Sequence, residues 1–253
     1  MHTLENERSF RPLPAPNRPP VSLPVVRSAD VSFDDDEISP SLPGWKRTLD
    51  LIAIIATSPV WLTVMMSISL WIKLVSPGPV FFTQDRIGFR GKRFKILKFR
   101  SMKVHAETET HEEHFDRLVE SGCPMTKLDA RGDGRMIFSG WLLRATGLDE
   151  LPQLFNVLQG DMSLVGPRPC TEHELSKFQM EHLERFDACP GLTGHWQVNG
   201  KNNTTFSRMI ELDVFYARNA SLRLDLLILL KTVPALVSQV RETRSGRETR
   251  DNS

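Results

Sequence analysis

From Leu49 to Ile72 the chain is almost wholly apolar. Drawn as one helix, this run is about 36 Å long against roughly 30 Å of bilayer hydrocarbon, which predicts a membrane helix. A buried helix of a soluble domain fits a run of this length poorly. Lys46-Arg47 stand just before the run and Asp50 at its start. The two cations suit a cytoplasmic membrane boundary with anionic headgroups. Ser58-Pro59 lies inside the run. Proline removes one helix hydrogen bond and crowds the preceding turn, so a kink is expected at Ser58-Pro59. The helix then either crosses, leaving the N-terminus outside, or bends back and keeps both ends cytoplasmic. Hydropathy alone slightly favours crossing.

No comparable run follows. Pro77-Gly78-Pro79 closes the membrane element with turn chemistry. Val80–Gln84 and Phe94–Arg100, separated by Gly88-Phe89-Arg90-Gly91-Lys92, read as a short hairpin that brings Lys95, Lys98 and Arg100 together. Residues 103–121 are polar and helix-prone, with His105, His111 and His114. His111 and His114 share a helix face but offer only two ligands where a metal site wants more, so a solvated helix is the better reading. Leu151, Leu154, Phe155 and Leu158 have helical spacing and predict a core-facing helix. Thr146 would cap its start and Gly160 end it, placing Asp149 and Glu150 in the first turn, where the helix dipole keeps a carboxylate ionised. The leucines between Leu222 and Leu230 form an amphipathic stretch suited to a membrane surface or to a core.

Composition narrows the classes. Lys+Arg is 32 and Asp+Glu is 31, a balance that argues against a nucleic-acid binder. Cys123, Cys170 and Cys189 have no CxxC spacing, so neither a disulfide framework nor a zinc site is expected. Residues 1–44 carry eight prolines and the acidic run Asp34-Asp35-Asp36-Glu37 but no apolar signal-peptide core. Such a segment buries too little apolar surface to offset its ordering entropy and is expected to be disordered, as is the charged stretch 241–253.

The candidate chemistry gathers around Asp149-Glu150. Acidic residues are common in first helix turns for electrostatic reasons alone, and in isolation that would suffice. Here rigid loops follow: Gly166-Pro167-Arg168-Pro169, Pro190-Gly191-Leu192-Thr193-Gly194 and Trp196-Gln197-Val198-Asn199-Gly200. Arg144, Arg168 and Lys98 are expected around the two carboxylates, since arginine forks suit phosphate oxygens and paired carboxylates suit Mg²⁺ shared with phosphates. The set reads as a phosphoryl-transfer site.

At these residues the chain resembles the bacterial sugar transferases, the monotopic polyprenyl-phosphate hexose-1-phosphate transferases. The resemblance runs from about Gly44 to Ser238. It rests on Lys46-Arg47 with Asp50, Pro77-Gly78-Pro79-Val80-Phe81-Phe82, Lys98-Phe99-Arg100-Ser101-Met102, Asp149-Glu150-Leu151-Pro152-Gln153, Gly166-Pro167-Arg168-Pro169 and Pro190-Gly191-Leu192-Thr193-Gly194. It implies an α+β, mostly helical fold. One re-entrant or membrane-spanning helix (45–76) would lead into a compact cytoplasmic catalytic domain (77–240) with a short β-hairpin and amphipathic interfacial helices. It implies transfer of a hexose-1-phosphate from a UDP-sugar to undecaprenyl (polyprenyl) phosphate at the bacterial inner membrane, initiating exopolysaccharide, capsule or O-antigen assembly. Asp149 would be the nucleophile and form a covalent phosphosugar; Glu150 would assist through metal binding or proton handling. Asp149 and Glu150 would hold Mg²⁺, and Lys98, Arg100, Arg144 and Arg168 would contact phosphate. Lys46, Arg47, Ser58 and Pro59 would lie at the membrane interface, with the helix broken so that both ends face the cytoplasm. Three departures from the family pattern stand out: Ser58-Pro59 comes one turn earlier than the usual break, near Leu62-Thr63; Cys189 and Lys201 stand where arginine is common; and Ile137-Phe138 to Trp141 is unusually apolar. The alternative functions are a catalytically inactive membrane scaffold of a glycan assembly complex, against which the intact Asp149-Glu150 pair argues, and a lipid phosphatase. Which sugar is moved, and whether the chain forms a homodimer, stay open at this level.

Overall fold

Thirty-two residues, Gly44–Val75, form one continuous helix, α1. The computed structural model describes residues 42–103, 109–125, 135–200 and 203–251, so the segment 1–41, His105 and Lys201 lie outside the described residues. Pro59 sits inside α1 and cannot donate to the carbonyl of Ile55. The neighbouring side chains repair the ladder: Ser58 Oγ donates to Ile55 O at 2.8 Å and Trp61 Nε1 to Ile54 O at 3.0 Å. Helical hydrogen bonding thus continues across Pro59, the position where a kink is expected. Lys46, Asp50, Ile54, Trp61, Met65, Ile68 and Ile72 are buried along one face. Ile52, Ile55, Val60, Met66, Leu70 and Leu74 are exposed on the other. An apolar helix with one face packed and one bare is built to meet a second apolar medium.

The hairpin forms as expected. Strands β1 (Phe81–Ile87) and β2 (Arg93–Phe99) pair antiparallel, with Phe81 opposite Phe99 and Phe82 opposite Lys98. The turn holds Arg90 at φ 47° and Gly91 at φ 74°. The hairpin does not make one basic face. Lys95 pairs with exposed Asp85 at 3.2 Å, Lys98 turns towards Glu150, and Arg100 is buried.

After α2 (Glu109–Ser121) and α3 (Gly140–Thr146) comes a single 3-10 turn, Leu148–Glu150, and then α4 (Gln153–Gln159). The helix expected to start near Thr146 is thus split by Pro152, and Thr146 Oγ1 bonds back to Leu142 O inside α3 instead of capping. Gly160, at φ 92°, ends α4 as expected. Strands β3 (Ser163–Val165) and β4 (Gly191–Thr193) pair in parallel and bring the Gly166 and Gly191 loops together. A Cβ on Gly191 would lie 2.0 Å from the Gly166 nitrogen, so glycine is required for this backbone approach. Helices α5 (Glu172–Leu175), α6 (His195–Val198), α7 (Phe206–Asn219) and α8 (Leu222–Asp251) complete the chain. The stretch 241–251, expected without order, continues α8.

One core joins α1 to the hairpin, α3 and α4 through Ile54, Trp61, Ile72, Phe94, Phe99 and Leu154. A second joins α2, α5 and α7 around Phe115, Phe178 and Phe206. A third is small: Val165, Tyr216 and Ile228 tie β3 to α7 and α8. The leucine-rich start of α8 is two-sided: Ile228 is buried while Leu226, Leu227, Leu230, Val233 and Val237 are exposed.

Candidate active site

The dyad sits where the chain reverses between α3 and α4. Gly147 ends α3 at φ 72°, a left-handed conformation that a Cβ would strain. Glu150 N then donates to Gly147 O at 3.1 Å and Leu151 N to Leu148 O at 3.2 Å, closing the 3-10 turn. Leu148 and Leu151 pack on the core, and Leu154 and Val157 of α4 are buried in it. The turn is pinned from below, Asp149 is buried at 8% exposure, and Glu150 is half-buried. The carboxylates thus lie on this core-held turn and not in the first turn of α4.

Lys98 reaches the dyad directly: its Nζ lies 3.0 Å from Glu150 Oε1, and both side chains remain partly open to solvent. Arg144 lies on the last turn of α3, with Nη1 3.5 Å from Ser101 Oγ, and its carbonyl accepts from Gln239 Nε2 of α8 at 3.1 Å. Arg168 is 38% exposed at its side chain and stands 3.8 Å from Glu174. Between these groups lies Arg86, which sequence reasoning missed. It is buried, donates to Pro169 O at 3.2 Å and to Gln84 Oε1 at 2.7 Å, and stands 3.6 Å from Glu174. Glu150, Glu174 and Arg168 all lie in its electrostatic surroundings. The site is therefore a patch of alternating charge running from Lys98 and Glu150 through Arg86 and Glu174 to Arg168.

Three expected contacts are placed elsewhere. Arg100 is 6% exposed and donates to Pro77 O at 2.8 Å and Ser76 O at 2.9 Å. It closes the end of α1, where unpaired carbonyls attract a cation. Lys46, expected among headgroups, is 3% exposed and donates to Val165 O (2.7 Å), Tyr216 Oη (2.9 Å) and Asp225 Oδ2 (2.6 Å). Arg47 donates to the carbonyls of Val157 and Leu158 at the end of α4. Both cations turn inward because carbonyl ends and Asp225 await them there. Ser58 is half-buried between Ile54 and Trp61, with its hydroxyl bonded to Ile55 O.

Burial separates the remaining titratable groups by role. Cys170 and Cys189 are pushed up to about 12 by burial, so neither thiol is a nucleophile at neutral pH. Burial works against the Glu174 carboxylate, but Arg168, Arg86 and the Thr171 N–H outweigh it and hold it below the usual range. Asp213 is fully buried against Arg185 at 2.6 Å, and burial lifts it to about 6 despite that cation. Glu174, Arg185, Asp213 and Asp225 carried no sequence signal beyond a Thr171-x-x-Glu174 spacing, which marks a helix start.

Known proteins resemble this chain over most of its length. The family model described as "Bacterial sugar transferase" matches residues 42–239. The exopolysaccharide production protein ExoY of Sinorhizobium fredii is 37% identical over 195 residues, covering 76% of this chain and 84% of that protein. The UDP-glucose:undecaprenyl-phosphate glucose-1-phosphate transferase of Caulobacter vibrioides is 41% identical over 201 residues, 76% of this chain and 70% of that one. The undecaprenyl-phosphate galactose phosphotransferase of Salmonella typhimurium is 36% identical over 197 residues, 76% of this chain and 40% of that one.

Proposed function

The chain belongs to the bacterial sugar transferase family and is a phosphotransferase enzyme, and we propose that it transfers a hexose-1-phosphate from a UDP-sugar to undecaprenyl phosphate and so starts exopolysaccharide synthesis. The observation that carries the reading is the Asp149-Glu150 turn, pinned by the core and faced by Lys98. Relatives named for undecaprenyl-phosphate sugar-1-phosphate transfer support the reaction class. Their names include both glucose and galactose, so they leave the sugar open.

In this reading a carboxylate oxygen of Asp149 attacks the sugar-bearing phosphorus of the donor. The bond to the bridging oxygen breaks, UMP leaves with the electron pair, and an acyl phosphate joins Asp149 to the sugar phosphate. An oxygen of undecaprenyl phosphate then attacks the same phosphorus, gives the lipid-diphosphosugar and returns Asp149 as a carboxylate. Anions must meet in both steps. Lys98 beside Glu150 and the half-exposed Arg168 supply fixed positive charge for them. Arg144, one turn before the dyad, is a third candidate. Adjacent carboxylates are the donor set that Mg²⁺ takes when phosphates complete its shell, so Asp149 and Glu150 fit that ion. When bound, it would neutralise diphosphate charge.

The acceptor is a lipid, and α1 is apolar enough to enter a membrane. Straight, its 32 residues would measure about 48 Å, more than the hydrocarbon thickness. Yet both ends bind the same domain. Lys46 and Arg47 hold β3, α4 and α8 at one end, and Arg100 holds Ser76 and Pro77 at the other. A crossing helix would leave one end on the far side, so these contacts favour re-entrance with the dyad at the cytoplasmic surface of the inner membrane. The exposed apolar residues of α8 and Phe138 would rest on that surface.

The test is UMP release by detergent-purified full-length protein with Mg²⁺, undecaprenyl phosphate and a panel of UDP-sugars. Release with one or more donors, lost in Asp149→Asn, supports the reading. Folded protein that releases no UMP with any donor contradicts it.

A further inference from the structure

Glu174 begins as an ordinary helix cap. Thr171 Oγ1 accepts from Glu174 N at 3.0 Å, and Glu174 Oε2 accepts from Thr171 N at 3.0 Å, closing a capping box at the start of α5. Such a carboxylate usually has water on its far side. Here the side chain is 16% exposed and meets two guanidiniums: Arg86 Nη1 at 3.6 Å and Arg168 Nη2 at 3.8 Å. The two arginines are unlike. Arg86 is 8% exposed at its side chain and tied to Pro169 O and Gln84 Oε1, whereas Arg168 is 38% exposed.

We propose that Glu174 is a positioning residue which, backed by Arg86, aims the Arg168 guanidinium at the phosphates of the donor. The proposal rests on the transferase reading and deepens it by giving a role to a residue that does not touch substrate. Three features carry it. At 3.8 Å Glu174 and Arg168 attract by charge without a short hydrogen bond, which leaves the Arg168 N–H fork for a ligand. The Arg168 backbone is held separately: Arg185 Nη2 donates to Arg168 O at 2.7 Å and to Asp213 Oδ2 at 2.6 Å, with Arg185 and Asp213 both buried. Arg86 offsets the charge of Glu174, so the triad presents one net positive charge, and does so on its most exposed member. A long arginine side chain loses rotamer freedom when it grips a phosphate, and a carboxylate that restrains it beforehand reduces that loss.

The test is a coupling measurement on the full-length enzyme with the UDP-sugar it turns over. Glu174→Gln keeps an oxygen to accept from Thr171 N–H and removes the charge. The expected fall in kcat/KM for the donor is about tenfold, carried mainly by KM, against about 10²-fold for Arg168→Ala. The double variant is expected to match Arg168→Ala within about twofold, because Glu174 acts through Arg168. Thr171→Ala loses the hydroxyl half of the box but keeps the backbone N–H that binds the carboxylate. It should lower Tm and leave kcat/KM of the folded enzyme within about twofold of wild type. UDP affinity measured by calorimetry on the same variants should show the same coupling without turnover. Losses that multiply in the double variant, or a Thr171→Ala loss equal to that of Glu174→Gln, would overturn the proposal. Wild-type protein without turnover on any UDP-sugar would overturn the transferase reading instead.

Discussion

Lys46 and Lys98 each stand beside a carboxylate, and the two ion pairs do different work. Lys46 meets Asp225 at 2.6 Å with both side chains below 5% exposure, and its other bonds go to Val165 O and Tyr216 Oη. Three acceptors match the three donors of an ammonium group, which leaves no room for a ligand. Lys98 meets Glu150 at 3.0 Å with 20% and 34% exposure, next to a second carboxylate. The first pair locks α1 onto β3, α7 and α8; the second is open on the side where substrate would arrive. Residue type therefore says little about role. Saturation of donors and access to solvent say more.

The comparison breaks if the two pairs respond alike. The largest effect is expected from Asp225→Ala, which leaves the buried Lys46 ammonium without its counter-ion and should cost about 3–5 kcal/mol of stability. Denaturant unfolding in detergent checks this, and the specific activity of the remaining folded protein should be unchanged. Next comes Lys98→Met, expected to lower kcat about 10²-fold while changing stability by less than about 1 kcal/mol, since its partner is half-exposed. If stability fell and kcat held, Lys98 would belong with Lys46. Arg100→Lys sharpens the contrast from the structural side. It weakens the bonds to Ser76 O and Pro77 O and should cost about 1–2 kcal/mol, with donor KM unchanged.

The smallest effect is one of pH. Burial raises Asp213 from an ordinary 3.8 to about 6. Between these values the folded chain keeps a proton that the unfolded chain releases, so this group's contribution to stability falls as pH rises from about 4 to about 6. Glu174, held below its usual range, works in the opposite direction as an acid-sensitive group. The measurable quantity is therefore the Tm difference between wild type and Asp213→Asn, which should move in favour of the variant as pH rises through that window. A difference that moved in favour of the wild type as pH rises would show instead that Arg185 keeps Asp213 ionised.

Much of the scaffold could be read from sequence because local patterns impose it. The hairpin followed from β-rich runs around Gly88–Lys92, and the apolar run of α1 from its length. The Gly160 stop followed from the backbone freedom of glycine. The dyad was recognised from its motif, but its placement on a separate turn depends on Pro152 and the left-handed Gly147, two local features outweighed in the reading by leucine spacing. The fates of the cations were harder to read. Lys46-Arg47 looks like a membrane anchor until α4 ends beside Arg47 and Asp225 returns from α8, 179 residues further along the chain. Arg100 stands two positions from Lys98 and points to other partners. Arg86 and Glu174 were invisible because their meeting depends on the Ile87–Cys170 bridge, a contact between distant segments. Helical pairing is kept on both sides of Pro59 through the side chains of Ser58 and Trp61, a detail of side-chain orientation that sequence does not show.

The proposed reaction requires Asp149 to carry the sugar phosphate. The most direct measurement is intact-mass spectrometry of the full-length protein incubated with its UDP-sugar and Mg²⁺ in the absence of undecaprenyl phosphate, followed by peptide mapping. A hexose-phosphate adduct is expected on the peptide containing Asp149, formed together with one equivalent of UMP, discharged when the lipid phosphate is added and absent in Asp149→Asn. UMP release that proceeds only with the lipid present and never leaves an adduct, or an adduct that survives in Asp149→Asn, would contradict it.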